Sequence, residues 1–219
     1  MKKRKKNLTR KGRILRLCAG FAAIVALASV LELYHFLPIQ AIHAIADQQD
    51  IEEPKVIDTF YDGTLPITRF ALCHLVQGKD ALMLCTTGYN PFMGWYDRTW
   101  SVVETWNGTG LYAGVQRHQQ DDKQVTYFYG RVDAEAVESL SLEVAFTSWD
   151  GQQELKHHAR YELTAEDFFE ENGTLYFCRK LSVEASPIWE WLAEPRVVCT
   201  TADGTVLETD TVDWRGWST

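Results

Sequence analysis

The sequence predicts a mainly β chain, an antiparallel immunoglobulin-like or related β-sandwich ectodomain preceded by one N-terminal transmembrane helix. Three observations predict it. A basic run near the start is followed by an uncharged apolar segment. Asx-Gly dipeptides recur at Asp62-Gly63, Asn107-Gly108, Asp150-Gly151, Asn172-Gly173 and Asp203-Gly204. Short runs rich in Val, Thr, Tyr, Phe and Trp lie between them. Asx-Gly pairs supply the positive φ angles of tight hairpin turns, and β-branched and aromatic residues suit a pleated, half-buried surface.

Residues 1–16 hold nine Lys or Arg and no acid, which keeps this end in the cytoplasm by the positive-inside bias and sends the rest of the chain outwards. The run Leu17 to Leu31 is 15 residues without a charge, short of the roughly 20 that span a bilayer core. It reaches full length as a signal anchor over 17–38 if Glu32 and His35 sit at the outer interface, where Tyr34 and Phe36 suit the headgroup region. Ala44-Ile45-Ala46 resembles a signal-peptidase site but lies well past the apolar run, so the expectation is an uncleaved anchor. Residues 39–55 read as a juxtamembrane linker, acidic and broken at Pro54.

The extracytoplasmic domain then occupies 56–219, with two subdomains meeting near Asp133. Its charge differs from that of the tail. The whole chain carries −8, and setting the nine tail cations aside leaves 13 basic against 30 acidic residues, a net of −17. Such a surface repels phosphate backbones, so nucleic acid is excluded as a partner.

Strands are expected at 68–76, 80–87, 98–105, 110–118, 123–131, 174–183, 195–201 and 204–210. The clearest signal is a hairpin from Ser139 to Leu163. Leu140, Leu142, Val144 and Phe146 alternate with polar positions, and Leu155, His157, Ala159, Tyr161 and Leu163 do so after the turn, giving one buried and one wet face. Thr164 with Glu166 and Asp167 predicts a helical turn over 165–171, and Ser186-Pro187 predicts a connecting turn through Trp189 and Trp191.

Four of the five cysteines fall in this domain: Cys73, Cys85, Cys178 and Cys199. An even number in an oxidising compartment makes them disulfide candidates. Cys73 and Cys85 are symmetric about Lys79, so local geometry proposes 73–85 and 178–199, with buried free thiols as the other reading. No CxxC or CxH pairing is present, so no metal site is expected, and no cofactor motif occurs.

No GxSxG, HExxH or P-loop occurs either. His157 and His158 point to opposite faces of a strand. Acids such as Asp97, Glu104, Asp121 and Asp122 lie near aromatic strands and offer pairs for a carboxylate-based hydrolase, and any chain with 30 acids offers such pairs by chance. All eight tryptophans fall in the extracytoplasmic region. Trp149 is expected in a turn and Trp189 and Trp191 in a connection, positions from which indole rings stack on sugars or on a partner's side chains. The expectation is a single-pass, cell-surface binding module for glycan or protein, without catalysis. A structural partner in a membrane complex is the alternative, and a hydrolase the second. The layout, with YFYGRVDAEAVESLSLEV followed by TTADGTVLETD, resembles that of surface proteins of Gram-positive bacteria, which implies a surface location and no residue's role.

Overall fold

The computed structural model describes residues 10–30, 34–63, 70–92, 94–105, 110–120, 123–149, 153–182 and 188–209. These form helices α1 (Arg10–Val30) and α2 (Pro38–Gln48) and twelve strands in three antiparallel four-stranded sheets. Sheet A joins β1 (Lys55–Gly63), β2 (Phe70–Gln77), β3 (Ala81–Asn90) and β4 (Gly94–Glu104) in chain order. Sheet B joins β5 (Leu111–Gln120), β6 (Lys123–Val132), β10 (Thr174–Ser182) and β9 (Phe168–Glu171), in that spatial order. Sheet C joins β12 (Val206–Thr209), β11 (Ile188–Thr201), β7 (Val137–Trp149) and β8 (Glu154–Leu163).

Strand alternation sorts the core into layers, with sheet B in the middle. On β6, Val125, Tyr127 and Tyr129 turn towards Cys73, Leu75, Leu82 and Leu84 of sheet A. Phe128 and Val132 turn the other way, onto Leu140, Leu142 and Val197 of sheet C. A period of two therefore feeds both cores from one strand. An immunoglobulin-like domain packs two sheets, whereas the described residues here form three. No boundary at Asp133 separates them, because β9 and β10 return to sheet B after β7 and β8 have begun sheet C.

The stretch expected as a linker over 39–55 holds α2, which covers the outer face of sheet A. Ile42, Ile45 and Ala46 pack on Val76, Met83 and Cys85. The helix starts where Leu37 is extended and Pro38 opens the first turn, and the Gln40 Oε1 accepts hydrogen bonds from the N–H groups of Phe36 (2.8 Å) and Leu37 (3.0 Å). This is the reach-back half of a capping box. It ends where Asp50 takes a positive φ of 53° and the Ile51 N–H donates to the Ala46 carbonyl at 2.9 Å. Ala44-Ile45-Ala46 thus lies within α2, where Ile45 and Ala46 are fully buried.

Among the described residues no helix is long and apolar enough to cross a membrane. The expected span 17–38 comprises the later part of α1, residues 31–33, which lie outside the described residues, and the lead into α2. α1 presents Leu15, Leu17, Phe21, Ile24 and Leu27 exposed, with no packing partner among the core clusters.

Several local expectations change. Residues 165–171 give one 3-10 turn, Ala165–Asp167, and then the short strand β9. Asn172 (φ 54°) and Gly173 (φ 78°) close the β9–β10 hairpin as a type I′ turn. Asp62-Gly63 is no turn but the end of β1, beside a bulge, with Asp62 buried. The connection expected around Trp189 and Trp191 is strand β11, which runs on through Pro195. Bulges on both sides of Ala193 take up that proline, which cannot donate to the ladder. Asn107-Gly108 and Asp150-Gly151 lie outside the described residues.

Candidate functional site

The outward face of sheet C carries the candidate site. Glu143 on β7 stands opposite Arg160 on β8 and Arg196 on β11, and Ala145 stands opposite His158 and Ala193. The small side chain of Ala145, beside the bulged part of β11, leaves an open groove of about 510 Å³. Its polar walls are Glu143, His158, Arg160 and Arg196.

The charges there are paired across strands. Arg160 meets Glu143 (3.2 Å) and Glu162 (3.1 Å), and Arg196 meets Glu208 on β12 (2.6 Å). Charge alternates across the four strands of the sheet, from Glu208 through Arg196 and Glu143 to Arg160. Each of these half-exposed pairs contributes about 1 kcal/mol or less, so the ladder orders side chains more than it stabilises the fold. It leaves the groove polar and close to neutral, a wall suited to hydroxyl and amide groups rather than to a strongly charged ligand.

The three candidate stacking residues fall on this same sheet. Trp149 closes β7 opposite Glu154, Trp191 lies on β11 opposite Phe146, and Trp189 sits at the bulge between Ile188 and Glu190. All three are therefore in strands, where a turn and a connection were expected. Their side chains lie outside the described residues.

The cysteines correct the expected pairings. The β2–β3 turn is symmetric about the Lys79–Asp80 bond, not about Lys79, so Cys73 stands opposite Thr86, and Cys85 opposite His74. That half-residue difference sends the two sulfurs to opposite faces. Cys73 enters the core between sheets A and B, and Cys85 the core under α2. Cys178 and Cys199 lie on different sheets. All four are free thiols. Burial raises the pKa of each, pushing Cys199 up to about 11, so none is poised as a nucleophile.

A buried polar layer between sheets A and B went unread in the sequence. The Gln116 Nε2 donates to the Thr99 Oγ1, Ser101 Oγ donates to the Tyr129 hydroxyl at 2.8 Å, and the Tyr127 hydroxyl donates to the Asp62 carboxylate. Lys180 Nζ approaches that carboxylate at 3.7 Å and lies over the Tyr127 ring. Burial and the neighbouring carboxylate hold Tyr127 protonated far above the ordinary tyrosine range. The arrangement fixes how sheet A registers on sheet B, and no single-strand pattern announces it, since its hydrogen-bonded partners are 17 to 65 residues apart along the chain.

Of the remaining candidates, Asp97 is exposed on β4, and the side chains of Glu104, His118 and His157, with residues 121–122, lie outside the described residues. Among the described residues no three His, Cys, Asp or Glu converge to hold a metal ion. No protein-family model matches this chain, and neither a curated protein nor a solved structure does.

Proposed function

We propose that the protein is a membrane-tethered, extracytoplasmic β-sandwich-related module that binds a neutral, hydroxyl-rich ligand, a glycan, on the outward face of sheet C without catalysis. The observation that carries the binding role is the coincidence on one sheet of the polar groove and of the strands bearing Trp149, Trp189 and Trp191. Aromatic rings beside paired polar groups are the usual means of gripping a sugar, whose faces are apolar and whose rim is hydroxylated.

Support for the tether comes from α1. Fourteen uncharged residues, Leu17 to Val30, form about 21 Å of helix at 1.5 Å per residue, against roughly 30 Å of hydrocarbon. Arg13 and Arg16 extend that reach by snorkelling to the inner interface. Nine cations before the apolar run favour an N-in orientation.

The test uses the full chain in lipid nanodiscs, titrated with a glycan panel while tryptophan fluorescence is followed. A saturable shift that weakens at least about tenfold, the equivalent of 1.4 kcal/mol, in Trp149→Ala, which shares the two-residue period of Glu143 and Ala145 on β7, supports the reading. A response that survives Trp149→Ala and Arg196→Ala together overturns the assignment to the outward face of sheet C.

A further inference from the structure

The end of the molecule nearest α1 carries a second apolar surface that the tether alone does not explain. The tip of the β3–β4 hairpin raises Phe92, which is 91% exposed, the most exposed of the large apolar side chains described. Its loop is ordered by the Phe92 N–H donating to the Asn90 Oδ1 at 2.8 Å. The segment that follows α1 is pinned to this tip. The Tyr34 hydroxyl donates to the Pro91 carbonyl (3.2 Å), the Trp95 N–H donates to the His35 carbonyl (2.9 Å), and His35 forms a parallel bridge with Gly94. Gly94 has a φ of +79°, and a Cβ there would stand 2.4 Å from the His35 carbonyl oxygen. Only glycine permits this contact.

Around the junction, Tyr34 packs on Phe36 with ring centroids 4.6 Å apart, and Tyr89 on Trp95 at 5.5 Å. Phe36, Leu37 and Ile39 are exposed beside them. No Asp, Glu, Lys or Arg occurs from residue 33 to 46 or from 81 to 96, in a chain that is 24% charged. Desolvating charge is what opposes contact between protein and lipid, and here that cost is absent. Phe inserted at the acyl boundary, with Tyr and Trp at headgroup level, is the composition of an interfacial belt.

We infer that the β3–β4 tip and the Tyr34–Ile39 segment form one platform that rests in the outer interface of a phospholipid bilayer, with Phe92 inserted. The inference rests on the tether proposed above. It deepens that reading, because only four residues, 31–34, separate α1 from the backbone bridge of His35 with Gly94, a length that holds the domain against the lipid.

The experiment reconstitutes the full chain into phosphatidylcholine vesicles containing brominated lipid, with Phe92→Trp and, as a control two layers away, Val206→Trp on β12. Both positions are exposed, so neither substitution disturbs a core. Flotation is measured first and emission second. The expected result is a chain that floats, with the emission added at 92 blue-shifted and quenched by bromine and the emission added at 206 unaffected. A chain that floats while the emission added at 92 stays unquenched and open to aqueous iodide overturns the platform and leaves the tether standing. A chain that does not float overturns both.

Discussion

His74 is 1% exposed, and its ring nitrogens bond the hydroxyls of Thr59 and Thr87, each at 2.9 Å. Burial pushes its pKa down from 6.5 to about 4, because an imidazolium there would lose its hydration. The sign of the pH effect follows. Between pH 6.5 and 4 the unfolded chain binds the proton that the folded chain refuses, so stability falls as pH falls through that window and levels off below it. The loss amounts to about 3 kcal/mol at its full extent. Denaturation midpoints measured from pH 7 to pH 4 are expected to fall in the native protein. In His74→Gln, which keeps polar reach to the hydroxyls without a titrating group, this part of the slope should vanish. An unchanged slope in that variant would place the acid sensitivity elsewhere.

Strands and turns test the packing more sharply than any single side chain, and two glycines show how. Gly130 lies in β6, where an added Cβ would come within 2.3 Å of both the Phe177 ring and the Tyr112 carbonyl oxygen. The ring has some freedom, but the carbonyl belongs to the β5–β6 ladder, so Gly130→Ala is expected to cost about 3 kcal/mol or more by overpacking. Gly173 has open space around it and a φ of +78°, so Gly173→Ala should cost only the left-handed strain of about 1 to 2 kcal/mol. Urea midpoints of the two variants should separate in that order, and equal losses would contradict the packing of sheet B. The same elements show what the sequence made legible. β7 and β8 pair as their alternation predicts, Leu140 on Leu163 through Phe146 on His157, because one face is buried and the other is wet. β1 is absent from the expected strands, since its buried face is partly polar and its last two residues imitate a turn. β9 and the first half of β11 were hidden by helix-capping and proline signals that tertiary pairing overrode. The groove was legible only as its parts: neither the pairing of Glu143 with Arg160 nor the bulges beside Ala193 can be read without knowing which strands are neighbours.

At the scale of the whole molecule the order of the layers governs how it comes apart. The chain builds sheet A, passes to B, starts C, returns to B through β9 and β10, and finishes in C, so a cut between β4 and β5 would separate sheet A but no cut in the chain separates sheet B from sheet C. β6 is the strand most enclosed by this route. It pairs with β5 on one side and β10 on the other along Val125–Val132, and its two faces feed both inter-sheet cores. β7 is also central to its sheet, but its outward face is open to solvent at Glu143. Amide protons bonded in an enclosed strand exchange only when the whole structure opens, whereas those of a half-covered strand also exchange through partial opening. Hydrogen exchange is therefore expected to be slowest in β6, with an opening free energy equal to that of global unfolding. β7 should exchange sooner, and the edge strands β8, β9 and β12 sooner still. If β7 proves as protected as β6, then sheet C is covered on its outward face as well, and the groove proposed for a glycan is closed in the native protein.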